Sequence, residues 1–145
     1  MKKIIIVCIL VLMSGCSNNS PSTEPDFIEI AKGILGGTEG IVESNLIIKN
    51  ANNWTILMNK MDPHSLSNIK FIETDIDFNH YQVIAVFDKM YPNTGHSINI
   101  TNKTENNSSV IIKVEKIDLG GLNPAHTQPY HIVKIKKTDK NIIFE

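Results

Sequence analysis

The sequence predicts an α+β domain, mainly an antiparallel β-sheet of about six or seven short strands with one amphipathic helix. Three observations lead there. Val83-Ile84-Ala85-Val86-Phe87 is an unbroken apolar run, the pattern of a central strand covered on both faces. Ser97–Thr101 and Val110–Ile117 alternate apolar with polar, as strands with one wet face do. Only one segment carries a clear helical period.

Taken in order, Phe27 to Lys32 alternates loosely and predicts a first strand, which Gly33-Ile34-Leu35-Gly36-Gly37 should break. Ile41 to Lys49 is rich in β-formers and predicts a second. Asn50 then reads as a helix N-cap. Trp54, Leu57, Met58 and Met61 fall at i, i+3, i+4 and i+7 on one face, and Asp62-Pro63 stops the helix. That face should cover one side of the sheet. After the central strand, Met90 to Gly95 reads as a turn and Asn102 to Ser109 as a polar hairpin tip. Asp118 to Pro129, with Gly120-Gly121 and two prolines, reads as a long loop. Tyr130 to Lys136 predicts another strand and Asn141 to Phe144 a last short one.

The N-terminus belongs to no fold. Met1-Lys2-Lys3 is followed by the apolar run Ile4–Met13, too short to span a bilayer as a helix, which takes about 20 residues. A charged start and a short apolar core make a signal peptide. Leu12-Met13-Ser14-Gly15-Cys16 resembles a bacterial lipobox, with Met13 where leucine is commoner. The expectation is cleavage after residue 15 and lipidation of Cys16, each buried acyl methylene contributing about 0.8 kcal/mol to membrane binding. Residues 16–25 hold no large apolar side chain and predict a flexible tether. Residues 26–145 form one domain. Ser17, with no aspartate after the cysteine, points by resemblance to Gram-negative sorting toward the outer membrane.

Charge narrows the partners. The chain has 14 basic and 15 acidic residues; losing Lys2 and Lys3 with the signal peptide leaves 12 against 15, a net of −3. Every basic residue is lysine and the lysines are scattered, which argues against nucleic-acid recognition, where arginine forks and basic patches do the work. Cys8 leaves with the signal peptide and Cys16 takes the lipid, so the domain has no disulfide, thiolate or cysteine ligand.

Two segments carry a family resemblance. Tyr91-Pro92-Asn93-Thr94-Gly95-His96-Ser97-Ile98-Asn99-Ile100 resembles the Pro-Thr-Gly-Gly-Tyr-Ser-x-x-Ile element of the PrcB C-terminal domain family. Thr127-Gln128-Pro129-Tyr130-His131-Ile132-Val133-Lys134-Ile135 is similar to its closing Pro-Tyr-His-Ile-Val-x-Ile strand. With the apolar strand and Trp54 upstream, the likeness spans roughly residues 40–136. Thr94 and His96 depart from the family's glycine and tyrosine. The resemblance implies a lipid-anchored, non-catalytic subunit that binds, and stabilises, an exported protease or another envelope protein. The same loop is similar to the cleft-plugging loop of chagasin-type cysteine-protease inhibitors, in the altered order Pro92-Asn93-Thr94-Gly95-His96.

The chemistry-bearing residues lead to no enzyme. His64, His80, His96, His126 and His131 show no metal-ligand spacing, and His131 shares a strand face with Val133 and Ile135, the place of a hydrogen-bonded core histidine. Ser97, His131 and Asp118 could be drawn as a triad, but no Gly-x-Ser-x-Gly elbow surrounds Ser97. Asp75, Asp77 and Asp88 lack the glycine and glutamate of a calcium loop and read as solvated loop acids. The reading is therefore no catalysis, no metal and no cofactor. The expected partner-binding residues are Tyr91, Pro92, Asn93, Thr94, Gly95, His96 and Tyr130, because loops on a rigid sheet often bind and aromatic side chains dominate interface energetics. Gln128-Pro129-Tyr130 leaves a cis proline open, and Tyr130 is equally a core tyrosine. The alternatives are an inhibitor that inserts the Pro92–His96 loop into a protease cleft, and a structural envelope lipoprotein with no dedicated partner.

Overall fold

The computed structural model describes residues 25–62 and 69–145. The expected signal peptide, Cys16, the expected tether up to Glu24, and Pro63 and His64 lie outside the described residues. Among those described there are eight strands and one helix: β1 Ile28–Leu35, β2 Ser44–Ile48, α1 Ala51–Met61, β3 Tyr81–Phe87, β4 Tyr91–Asn93, β5 His96–Glu105, β6 Ser109–Asp118, β7 Pro124–Lys136 and β8 Asn141–Phe144. The class is α+β and mostly antiparallel, with eight strands rather than six or seven.

The strands form two sheets. One runs β1-β7-β3-β2, with β4 also paired to β7; the other runs β5-β6-β8. β7 is the spine of the first. Residues 128–134 pair with β1 on one side, and residues 130–136 pair with β3 on the other. β4 then continues along the β3 side against Pro124 and Thr127. This is why two segments that read as connections are strands. Tyr91–Asn93 finds a partner in Pro124–Thr127, and Asp88 N–H bridges the gap between β3 and β4 by donating to Pro129 O at 2.9 Å. In the second sheet β6 and β8 run parallel, the one departure from antiparallel pairing among the described residues.

Alternation of side chains across β3 and β7 builds two cores. Val83, Ala85, Phe87, Tyr130 and Ile132 face the helix, where Trp54, Leu57 and Met61 cover them. Ile84, Val86, Val133 and Ile135 face the second sheet and meet Ile98, Ile100, Val110 and Ile112. The molecule is thus three layers, helix on sheet on sheet, and β3 is buried on both faces as its sequence requires. The helix starts where Asn50 accepts from Asn53 N–H at 2.9 Å and ends at Asp62, whose N–H donates to Met58 O. Trp54 docks edge-on against Phe71 at 5.6 Å and donates Nε1–H to Thr74 O at 2.8 Å, so its large apolar area is buried without stranding its polar atom.

Gly33 does not break β1. It pairs with Tyr130 across the ladder, and a Cβ there would stand 3.1 Å from Tyr130 Oη. The glycine makes room for that ring inside a continuing strand.

Candidate functional site

The expected binding residues divide between two places. Tyr130 is in the helix-side core, 3% exposed, stacked on Phe87 at 6.2 Å, with burial pushing its phenol pKa up. The Gln128–Pro129 peptide bond is trans. The ring therefore packs as a core tyrosine, the alternative its sequence left open. The remaining six lie at the end of the sandwich where β4, β5 and β6 meet.

There the Pro92–Gly95 loop is laced to residues 118–123. Gly121 N–H donates to Thr94 O at 2.6 Å, Leu119 N–H to Gly95 O at 3.2 Å and Thr94 N–H to Asn123 O at 3.2 Å. Thr127 Oγ1 donates to Asn93 O at 2.6 Å. Two glycines permit the approach. Gly95 has φ +89°, and a Cβ on it would sit 2.7 Å from Gly121 N; a Cβ on Gly121 would sit 2.7 Å from Thr94 O. These are distances at which side chains collide with backbone, so both positions require glycine.

Under the laced loops lies a buried polar chain. Tyr91 stacks flat on His96, centroids 3.6 Å apart and planes 7° from parallel, with Lys89 Nζ over the Tyr91 ring at 5.0 Å. Asn93 Nδ2 donates to Gly121 O at 3.0 Å. That turns its Oδ1 toward His96 Nε2, 2.9 Å away, so the Nε2–H donates. His96 Nδ1 faces Asp118 Oδ1 at 2.9 Å, a contact that becomes an ion pair when the ring carries both protons. Tyr91 Oη donates to Asp88 Oδ2 at 2.9 Å. Asp88 also accepts from Lys89 N–H at 2.8 Å and from Lys116 Nζ at 2.7 Å, and Lys116 pairs onward with Glu43. Gln128 Nε2 completes the seam, donating to Ile41 O and Asp88 O, each at 2.9 Å.

The charges follow from these contacts. Burial alone would raise the Asp88 carboxyl, but bonds from Lys116, Lys89 N–H and Tyr91 outweigh it and hold its pKa below the ordinary carboxylate value. Burial, then the bond to Asp88, pushes Tyr91 up to about 12, so the phenol keeps its proton and stays a donor. Tyr91, Asn93 and His96 therefore bond within the tip and shape it. Pro92 and Gly95 are exposed.

Asp88 is not a solvated loop acid: it is fully buried and the hub of the chain. Its place at the end of a fully buried strand was the signal for it. Lys116 was legible too, because it ends the inward phase Val110, Ile112, Val114 of β6. The feature missed outright is apolar. Leu122 is fully exposed and Leu119 is 81% exposed, both on the segment laced to the Pro92–Gly95 loop, and Ile117 just before it on β6 is 41% exposed.

The other candidates stay apart. His131 Nδ1 accepts from Ile100 N–H at 2.8 Å, at the bulge in β5 between Ile100 and Asn102, and its Nε2 faces Glu29 at 3.1 Å. Burial leads in holding its pKa below 6.5, and the neutral ring is the form that can accept from the backbone. It ties one sheet to the other. Ser97, His131 and Asp118 do not converge: Asp118 meets His96, and Ser97 pairs with Ile117 in the ladder. Asp77 is held low by His80 and by Asn79 N–H at the surface. No group of three His, Cys, Asp or Glu that could hold a metal exists among the described residues. No helix among them is long and apolar enough to cross a membrane.

Comparison with protein families, curated proteins and solved structures finds no match to this chain.

Proposed function

We propose that this chain is a membrane-anchored lipoprotein whose domain is a non-catalytic protein-binding module, and that the laced tip is its contact surface. The observation that carries the reading is Leu119 and Leu122 held in solvent by a tip whose backbone is fastened to the neighbouring loop. Exposed leucines are ordinary when scattered and mobile. Here two stand on a segment already fixed by hydrogen bonds and two obligatory glycines, so little ordering entropy opposes docking. The lipobox-like Leu12–Cys16 supports the anchor, and the PrcB-like segments support a subunit that stabilises an exported protease. In this reading Tyr91, Asn93 and His96 set the loop's shape, while Pro92, Thr94, Gly95, Leu119 and Leu122 meet the partner.

The test is photo-crosslinking of the full-length lipidated protein in its native envelope, with the probe at Leu119 or Leu122 and, as control, at Lys113 on β6. One dominant protein captured from both leucine positions and not from Lys113 is the expected result. A diffuse set of abundant envelope proteins, the same from all three positions, would refute a dedicated partner.

A further inference from the structure

We propose that the free edge of β2 is a self-association surface, on which two copies of the chain pair their β2 strands antiparallel about a two-fold axis at Leu46. The argument begins with how the molecule treats its other edges. Unpaired strand edges invite pairing, and natural sheets block them with bulges, charges or covering segments. The β1 edge has a bulge between Glu29 and Ala31, and Ile72 N–H covers it by donating to Ile30 O at 2.8 Å. The β5 edge has its bulge between Ile100 and Asn102. The β8 edge is four residues long, and Lys140 at its mouth is bonded to Glu105.

β2 carries none of these. Ser44 to Ile48 pairs one-to-one with Phe87 to Val83 without a bulge. The strand contains no proline and no charge, and among the described residues no other backbone group bonds to it. Ile47 at its outer part is 39% exposed. Beside it lies a cleft of about 410 Å³, lined by Ser44 and Asn45 on one side and by Val114, Lys116 and Phe144 of the second sheet on the other.

The occupant follows from the charges flanking the strand. The local sequence is Glu43-Ser44-Asn45-Leu46-Ile47-Ile48-Lys49. Reversed against itself about Leu46, it places Asn45 opposite Ile47, Ser44 opposite Ile48, and Glu43 opposite Lys49 of the other copy, twice over. Opposed residues of an antiparallel pair share a face, and opposite charges there favour pairing. Glu43 is paired to Lys116 within its own copy but keeps exposed carboxylate surface for a second lysine. Lys49 is exposed and has no ion pair among the described residues, and the Glu43 carboxylate is 53% exposed beside Lys116. A partner strand of another protein would have no reason to mirror this pattern; a second copy mirrors it by symmetry. The result is one continuous sheet through both molecules.

The test uses the full-length chain purified from its envelope in detergent. Within one copy, Glu43 and Lys49 lie about 20 Å apart along an extended strand, so a zero-length carbodiimide cross-link between them forms only between copies. A Glu43–Lys116 cross-link within the copy is the internal control for carboxylate reactivity. The expected result is a species of twice the mass carrying the Glu43–Lys49 bond. In sedimentation, Glu43→Lys and Lys49→Glu each turn two attractions into two repulsions and weaken association about tenfold. The double variant, and an equal mixture of the two single variants, recover it. Monomer sedimentation with only the Glu43–Lys116 bond would overturn the proposal. So would a dimer indifferent to the Lys49→Glu change, or Lys49 cross-linked to a different protein.

Discussion

Replacing Gly121 with alanine tests whether the tip is fastened as described. A Cβ at this position would stand 2.4 Å from Thr94 Oγ1 and 2.7 Å from Thr94 O. The hydroxyl can rotate away; the carbonyl cannot move without taking the Pro92–Gly95 loop with it. Separation breaks Gly121 N–H to Thr94 O and loosens Leu119 N–H to Gly95 O. Each bond contributes about 1 kcal/mol net, and the lower freedom of alanine in the unfolded chain returns about 0.5 kcal/mol. The expected loss is therefore about 1.5 kcal/mol. With an unfolding entropy of about 2.1 cal/mol/K per residue over the domain, that lowers the thermal midpoint by about 6 °C. Gly36→Ala is the control, since its Cβ would find nothing nearer than Glu39 Oε1 at 4.0 Å; it should shift the midpoint by no more than a degree or two. Hydrogen exchange gives the local reading: the Gly121 and Leu119 amides should exchange at least tenfold faster in Gly121→Ala, with Val83–Phe87 unchanged. A Gly121→Ala protein that melts with Gly36→Ala and keeps those two amides protected would refute the reasoning.

Three further outcomes follow from the same contacts. Lys116→Met leaves the Asp88 carboxylate buried with two of its three donors and should cost about 2–4 kcal/mol; adding Asp88→Asn should recover part of that in a double-mutant cycle by denaturant unfolding. His131 has a folded pKa below its ordinary 6.5, so the unfolded chain binds its proton first and stability falls as pH drops below about 6.5, while above it the group contributes no slope. In His131→Asn, whose amide oxygen can still accept from Ile100 N–H, the difference from wild type should shrink as pH falls from 7 toward 5; a constant difference would exclude this assignment. Asn50→Ala removes the acceptor for Asn53 N–H and should cost about 1 kcal/mol, read as a shift in denaturant midpoint.

What could be read from the sequence was what depends on neighbours in the chain. The helix, its cap, its buried face and its stop are local, and Asn50 and the 54-57-58-61 spacing sufficed. The doubly covered β3 was legible because apolar residues on both faces have no other home. What depends on distant pairing was not. Tyr91–Asn93 and Pro124–Pro129 carry prolines and turn formers, and each is a strand only because the other lies beside it. Gly33 looked like a breaker because the ring that needs its space is Tyr130, 97 residues on. At the tip, the Pro92–His96 loop was found, but aromatic type was a poor guide to exposure. Tyr91 and His96 are buried by each other, and Leu119 and Leu122 stand out because the Gly120-Gly121 segment is spent on backbone contact.

The position of β7 has a consequence for how the chain reaches this structure. Both neighbours of the spine precede it: β1 waits for residues 128–134 and β3 for residues 130–136. A chain delivered N-terminus first can form α1, the β5–β6 hairpin and the β2–β3 pair before β7 emerges, yet β1 must hold open a gap of about a hundred residues before its ladder closes. Closing such a gap carries a large entropic penalty ahead of any reward. Folding should therefore be slow and nearly all-or-none, and a chain cut before residue 124 should leave two orphaned strands and two half-built cores, a ready substrate for proteolysis.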